Sequence, residues 1–200
     1  DAHRKALTLY HKGVLHEEKN QDDKALQYHL QASEKVVSTE DYRLAYLIYS
    51  HIGMIYAHRD LHEYSVSYCE KANEYAILSG DSYYIVESYN CIARTYSAQT
   101  QFYKAVEYYD KAIEIGKAHN KTKLVNSSIQ EKMGLFIRQK RLEEAQNLVK
   151  TLNHQMLNNQ ANLTIVRLYY RLNQPDSAYY YLNRAIKSDN IYTQQGAYQV

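Results

Sequence analysis

The 200-residue chain contains one proline, six glycines, two cysteines, two phenylalanines and no tryptophan. So little proline and glycine excludes collagen, a proline-rich linker and a small β-sandwich dense in turns. The two cysteines, Cys69 and Cys91, are too few for a disulfide framework and lack CxxC spacing; whether they pair with each other stays open. No apolar run is long enough to span a bilayer, and no charged-then-apolar leader opens the chain. One sign of charge is not in excess either: 24 Lys and Arg against 22 Asp and Glu leave a formal net of +2. Such a surface gives no general reason to attract nucleic acid or anionic lipid, so neither is expected as a partner. What the chain does have is 45% hydrophobic residues and 23 tyrosines, enough to bury a core.

Self-similarity organises the rest. Ala25, Ser65, Ala105 and Ala145 stand 40 residues apart, and Ala178 follows after 33. Four residues beyond the first four stand His29, Cys69, Tyr109 and Val149, and seven beyond stand Ala32, Ala72, Ala112 and Leu152. Twelve residues upstream lie Gly13, Gly53 and Ala93, with Met133–Gly134 near the fourth position. Several columns in phase over that distance make an internal repeat. Within a unit, Leu47, Ile48, Ile52, Ile55 and Tyr56 recur every three to four residues, and Tyr64, Tyr68, Ala72, Tyr75 and Ala76 resume the period after a polar break, so each unit reads as two helices. Helices are expected near 2–19, 22–38, 41–58, 61–79, 82–98, 101–119, 122–139, 141–153, 160–173 and 175–188, with another from about 191. Asp41 and Asp81 suit helix starts, Asp60 with Glu63 suits a weak capping box, Gly80 a left-handed stop and Pro175 a first helical position. Small residues at the crossings let paired helices approach closely, with tyrosines filling the space around them. Such a pair cannot bury both faces alone and must stack on the next.

The pattern Tyr49-x2-Ile52-Gly53-x2-Tyr56 … Ser65-x3-Cys69-x2-Ala72 resembles a tetratricopeptide repeat (TPR), and Tyr89-x2-Ile92-Ala93-x2-Tyr96 … Ala105-x3-Tyr109-x2-Ala112 matches it better. Weaker copies run through Leu9, Gly13, Ala25 and Ala32, through Ile129, Met133, Phe136 and Ala145, and through Val166, Tyr169, Ala178 and Ala185. The first four units are 40 residues long against the family's 34, which adds roughly 9 Å of helix to each. The resemblance implies an all-α fold, a right-handed superhelix of about five TPR helix pairs (2–38, 41–79, 82–119, 122–153 and 160–188) with 191–200 opening a sixth. The sequence is therefore expected to be one array and a piece of a longer protein. Lengthened units of this kind resemble those of bacterial sensory and regulatory TPR proteins, in the cytoplasm or periplasm.

From the family architecture, first helices line a concave groove that takes a protein or peptide segment. The residues carried onto that groove are His51, Met54, Asn90, Arg94, Arg138, Arg167 and Arg171. Arginine there suits a carboxylate or phosphate, and an asparagine can hold a peptide backbone. Lysine and asparagine columns of a chaperone-type carboxylate clamp are missing: Ser50, Gln130 and Leu163 stand in their place. The bland alternative is an ordinary exposed surface. Nine histidines invite a metal or pH-switch reading, but no HExxH occurs, His58 and His62 straddle a turn, and His11 and His16 are misaligned, so solvated or packing roles and no metal are expected. Neighbouring carboxylates such as Glu17–Glu18 are read as solvated or as compensating a helix dipole. There is no GxSxG, no glycine-rich phosphate loop, and no base for Cys91, so neither a catalytic residue nor a cofactor is expected. The expected function is a non-enzymatic protein- or peptide-binding scaffold, the sensing part of a larger regulator. The alternative is a ligand-responsive receptor that switches an attached DNA-binding or kinase domain.

Overall fold

Helix ends dictate the architecture, because the last carbonyls of each helix need partners before the chain can turn back. A computed structural model describes residues 1–197, with side chains as far as Lys187. Ten α-helices follow one another: α1 (Ala2–Glu17), α2 (Asp22–Val36), α3 (Tyr42–His58), α4 (His62–Ser79), α5 (Ser82–Ala98), α6 (Phe102–Ala118), α7 (Thr122–Arg138), α8 (Leu142–Val149), α9 (Asn159–Arg171) and α10 (Pro175–Ala197). Each odd helix packs on the even helix after it. The described residues contain no strand, and no helix is long and apolar enough to cross a membrane.

The turn inside each pair repeats as faithfully as the helices do. Asn20, Asp60, Thr100, Lys140 and Asn173 all adopt positive φ, between 54° and 60°. At each of them the next residue's N–H returns to the carbonyl five residues back, as from Leu61 to Tyr56 and from Gln101 to Tyr96. This left-handed closure satisfies the orphan carbonyls. Asp60 is therefore the residue that ends α3, not the cap of α4; α4 starts from Leu61 with no side-chain cap. The cap expected at Asp41 is present, its side chain accepting from the Leu44 N–H, as is that at Asp81, which accepts from Tyr83. Gly80 ends α4 at φ 67°, and Pro175 opens α10.

Two compact units emerge, residues 1–119 and 120–200. In the first, α2 packs on α3, α4 on α5, and α3 on α5. Ala25, Ser65 and Ala105 have no exposed surface, and neither do Ala32, Ala72 and Ala112. Gly13 explains why one column begins with glycine: a Cβ there would lie 2.4 Å from the His29 ring. Tyrosines stack beside these crossings, Tyr49 on Tyr75 at 5.3 Å and Tyr56 on Tyr68 at 5.4 Å, and Lys71 sits 5.2 Å over Tyr68. Cys69 and Cys91 are joined as a disulfide that ties α4 to α5, closing the question that spacing left open.

In the second unit α7 packs on α8 and α9, and α9 on α10. The helix expected over 141–153 stops at Val149. The Asn126 side chain binds both the N–H and the carbonyl of Asn153, and this holds the chain in a turn before the short 3-10 segment His154–Met156. The separate helix expected from 191 does not begin afresh, since α10 continues to Ala197; residues 198–200 lie outside the described part.

Thr100 is β-branched, exposed and held at φ 60°, a conformation that costs about 1 kcal/mol or more for such a side chain. Thr100→Gly should raise stability by about 1 kcal/mol in urea unfolding. An unchanged or lower midpoint would mean that the turn does not carry this strain.

Candidate functional site

Helix phase decides which residues meet the surface. Along α5, Glu87, Cys91, Arg94 and Ala98 recur on one stripe, while Val86, Asn90 and Ala93 lie on the next and are fully buried. The first stripe faces α3, whose Leu47, Ser50, His51, Met54 and His58 complete an open cleft of about 540 Å³. All of its lining comes from the first helices of two consecutive pairs. Tyr46, Tyr83 and Tyr84 close one end; burial pushes the Tyr46 hydroxyl well above its ordinary range, nearby Glu87 pushes it further, and Arg94 opposes.

Three of the expected residues thus come together: His51, Met54 and Arg94. Asn90 does not join them. It has no exposed surface, and neither its amide nitrogen nor its carbonyl oxygen has a partner among the described residues. The misplacement is one residue, which on a helix is a turn of about 100°. Arg138, Arg167 and Arg171 are exposed and belong to the second unit. There Arg167 and Arg171 line a hollow between α9 and α10 with Tyr170 and Tyr179, and Arg138 lies at the end of α7.

Beside the cleft lies a cluster that spacing does not reveal. His29 is completely buried on α2, and its Nε2 meets Glu17 Oε1 at 3.0 Å. His51 Nδ1 meets the other oxygen of the same carboxylate at 2.7 Å, and His51 Nε2 lies 3.4 Å from the Tyr10 hydroxyl. Partial burial would raise the Glu17 carboxyl, but hydrogen bonds from both imidazoles and their charge outweigh it and hold the group down at about 2. Glu17 is therefore not a solvated end-of-helix carboxylate, and His29 and His51 are not idle rings. The signal in the sequence was His29 itself: it occupies a column that otherwise holds Cys69, Tyr109 and Val149, all buried, and a buried imidazole requires a polar partner.

Two outcomes follow from this cluster. Gly13→Ala places a methyl against the His29 ring and should cost about 1–3 kcal/mol, despite the roughly 1 kcal/mol that alanine gains in helix propensity; a more stable variant would overturn the close packing. Glu17 has a depressed folded-state pKa, so its contribution is fully present above about 4.5 and is lost as pH falls toward about 2. The stability gap between the parent and Glu17→Gln should accordingly narrow over that window, and a gap independent of pH would refute the pairing.

Residues 86–119, most of α5 and all of α6, match the model of the tetratricopeptide repeat. No curated protein matches the chain by sequence. Solved structures do match it in fold. Aspartyl phosphate phosphatase F from Bacillus subtilis superimposes with a TM-score of 0.79 at 16% identity, over 100% of this chain and 53% of that one. A STAND signal-transduction ATPase with a tetratricopeptide repeat sensor, from Pyrococcus horikoshii, gives 0.74 at 20%, over 98% and 32%. The Rap conjugation gene regulator of the plasmid pLS20, in complex with the Phr peptide, gives 0.70 at 16%, over 92% and 53%. This chain thus spans about half the length of the phosphatase and of the Rap regulator, and a third of the ATPase. Residues 86–119 thus match a tetratricopeptide repeat, with helix pairs before and after them, and the chain has the all-α fold of sequential helix pairs seen in these repeat structures.

Proposed function

We propose that the cleft between α3 and α5 is a binding site for an extended peptide segment, and that this chain is the recognition part of a larger bacterial signalling protein. The observation that carries the reading is the cleft's make-up: 540 Å³ lined by two successive first helices, with an apolar floor of Leu47, Met54, Ala57 and Ala98 and with charge of both signs on Glu87 and Arg94. A floor of this kind takes apolar side chains, Met adapts to their shape, and the charges orient the backbone or a terminal carboxylate. Met54 is 42% exposed although it is apolar, which suits a surface awaiting cover. His51 lines the same cleft with its ring held by Glu17, so part of the surface is organised before any ligand arrives. The likeness to a Rap regulator solved with a Phr peptide and to an ATPase's repeat sensor supports the same reading. The role is one of binding, not catalysis: the cleft gathers aromatic, aliphatic and charged side chains in a set suited to holding a chain segment.

Panning a library of random linear peptides against the protein supplies the probe. Peptides so enriched should lose tenfold or more in affinity, about 1.4 kcal/mol, to Met54→Glu or Arg94→Glu protein that keeps its helical signal. Equal affinity for the parent and both variants would place the binding surface elsewhere.

A further inference from the structure

The first three helices bring together a donor set beside the cleft, sharing His51 with it but adding Glu17 and the buried His29. Glu17 comes from the end of α1, His29 from the middle of α2 and His51 from the middle of α3. One donor atom from each lies within 4.8 Å of the other two. From this geometry we infer a binding site for a single divalent transition ion of the zinc class, held by the Glu17 carboxylate, His29 Nε2 and His51 Nδ1, with a further coordination position left for water.

The chemistry of the donors selects the ion. Two imidazole nitrogens and one carboxylate oxygen are borderline-to-hard ligands that favour zinc and its first-row neighbours over calcium or magnesium, which prefer all-oxygen cages. Three protein ligands with one position open is also an arrangement that zinc adopts readily. Bonds of roughly 2.0–2.2 Å would set tetrahedral donors roughly 3.3 Å apart. The present contacts are 3.0 Å between His29 and Glu17 and 2.7 Å between His51 and Glu17. For these two pairs an ion needs the side chains to part by only a few tenths of an ångström, and the two imidazole nitrogens lie within 4.8 Å of each other.

Surroundings add to the fit. A metal-bound imidazole commonly donates its other N–H outward, and His51 Nε2 faces the Tyr10 hydroxyl at 3.4 Å. The Glu17 and His51 side chains are 18% and 21% exposed while His29 is fully buried, so an ion can enter from solvent and rest against a fixed inner ligand. The competing explanation is a hydrogen-bonded imidazole–carboxylate–imidazole group with no ion. It satisfies Glu17 but obtains only one hydrogen bond, at Nε2, for burying the His29 ring, whose Nδ1 has no partner with or without an ion. A metal–nitrogen bond is a stronger reason to keep an imidazole inside.

Zinc(II) and cobalt(II) titrated into chelator-treated protein test the site. One equivalent should bind with a dissociation constant in the micromolar range or below and raise the unfolding temperature, and cobalt should show the intense visible absorption of a tetrahedral site. Glu17→Gln and His51→Ala should each weaken binding tenfold or more, whereas His119→Asn, on an exposed residue outside the cluster, should not. If a variant loses its circular-dichroism signal, the cobalt spectrum of the parent decides by itself. No stoichiometric binding to the parent, a spectrum of hydrated octahedral cobalt only, or binding that survives both substitutions would each overturn the proposal.

Discussion

Two helices that lie close along their length need something small at the crossing, and the whole arrangement of this protein descends from that requirement. Ala25, Ser65, Ala105 and Ala145 have no exposed surface, and each lies where the second helix of a pair meets the first. Opposite two of them the first helix carries glycine, so that His29 and Cys69 come within about a Cβ's width of its backbone. With the gap fixed, Ile48, Ile52, Ile55 and Ile92 can be buried completely. Each such side chain contributes roughly 1.5–3 kcal/mol, against a typical net stability of roughly 5–15 kcal/mol. A few of them carry the equivalent of the whole margin, so a methyl group added at a crossing is felt throughout its pair.

The same close approach leaves an interior position that can be made polar only at a cost. Where Cys69 and Tyr109 fill their column with groups that tolerate burial, the first repeat places an imidazole. A buried imidazole needs a polar partner from another helix, and Glu17 supplies it to His29 from α1 while binding His51 of α3 through its other oxygen. Three helices are thereby tied at one carboxylate. The apolar columns have no such directional link, since hydrophobic contact does not discriminate among partners.

The repeat, its phase and most helix limits were legible because periodicity is a property of the chain itself. Asp41, Asp81, Gly80 and Pro175 announced helix ends through their backbone chemistry, and each stands where expected. Asp60 misled because an aspartate serves equally as an N-cap and as a left-handed residue, and here the closure of α3 takes precedence over the start of α4. The end of α8 was hidden for another reason: Asn126, 27 residues earlier, binds both polar groups of Asn153, and no local pattern records such a bond. Of the residues carried onto a groove, His51, Met54 and Arg94 line one cleft, Arg138, Arg167 and Arg171 belong to the second unit, and Asn90 misses the cleft by one helical position. That offset is harmless for a helix limit and decisive for Asn90, which it turns from the cleft into the core.

His51 shows why the cleft and the interior cluster are better understood as one construction. Its Nδ1 is anchored on Glu17, its Nε2 faces Tyr10, and its remaining surface lines the cleft beside Met54. An imidazole on a bare helix surface samples several rotamers, and a ligand that fixes it must meet that entropy at the moment of binding. Here the cost is met during folding, by the bonds to Glu17 and Tyr10. Arg94, one helix away, brings its charge to the cleft on a longer stem. A rigid edge on α3 and a charge on α5 divide recognition between shape and electrostatics, and both follow from which helical stripe each residue occupies.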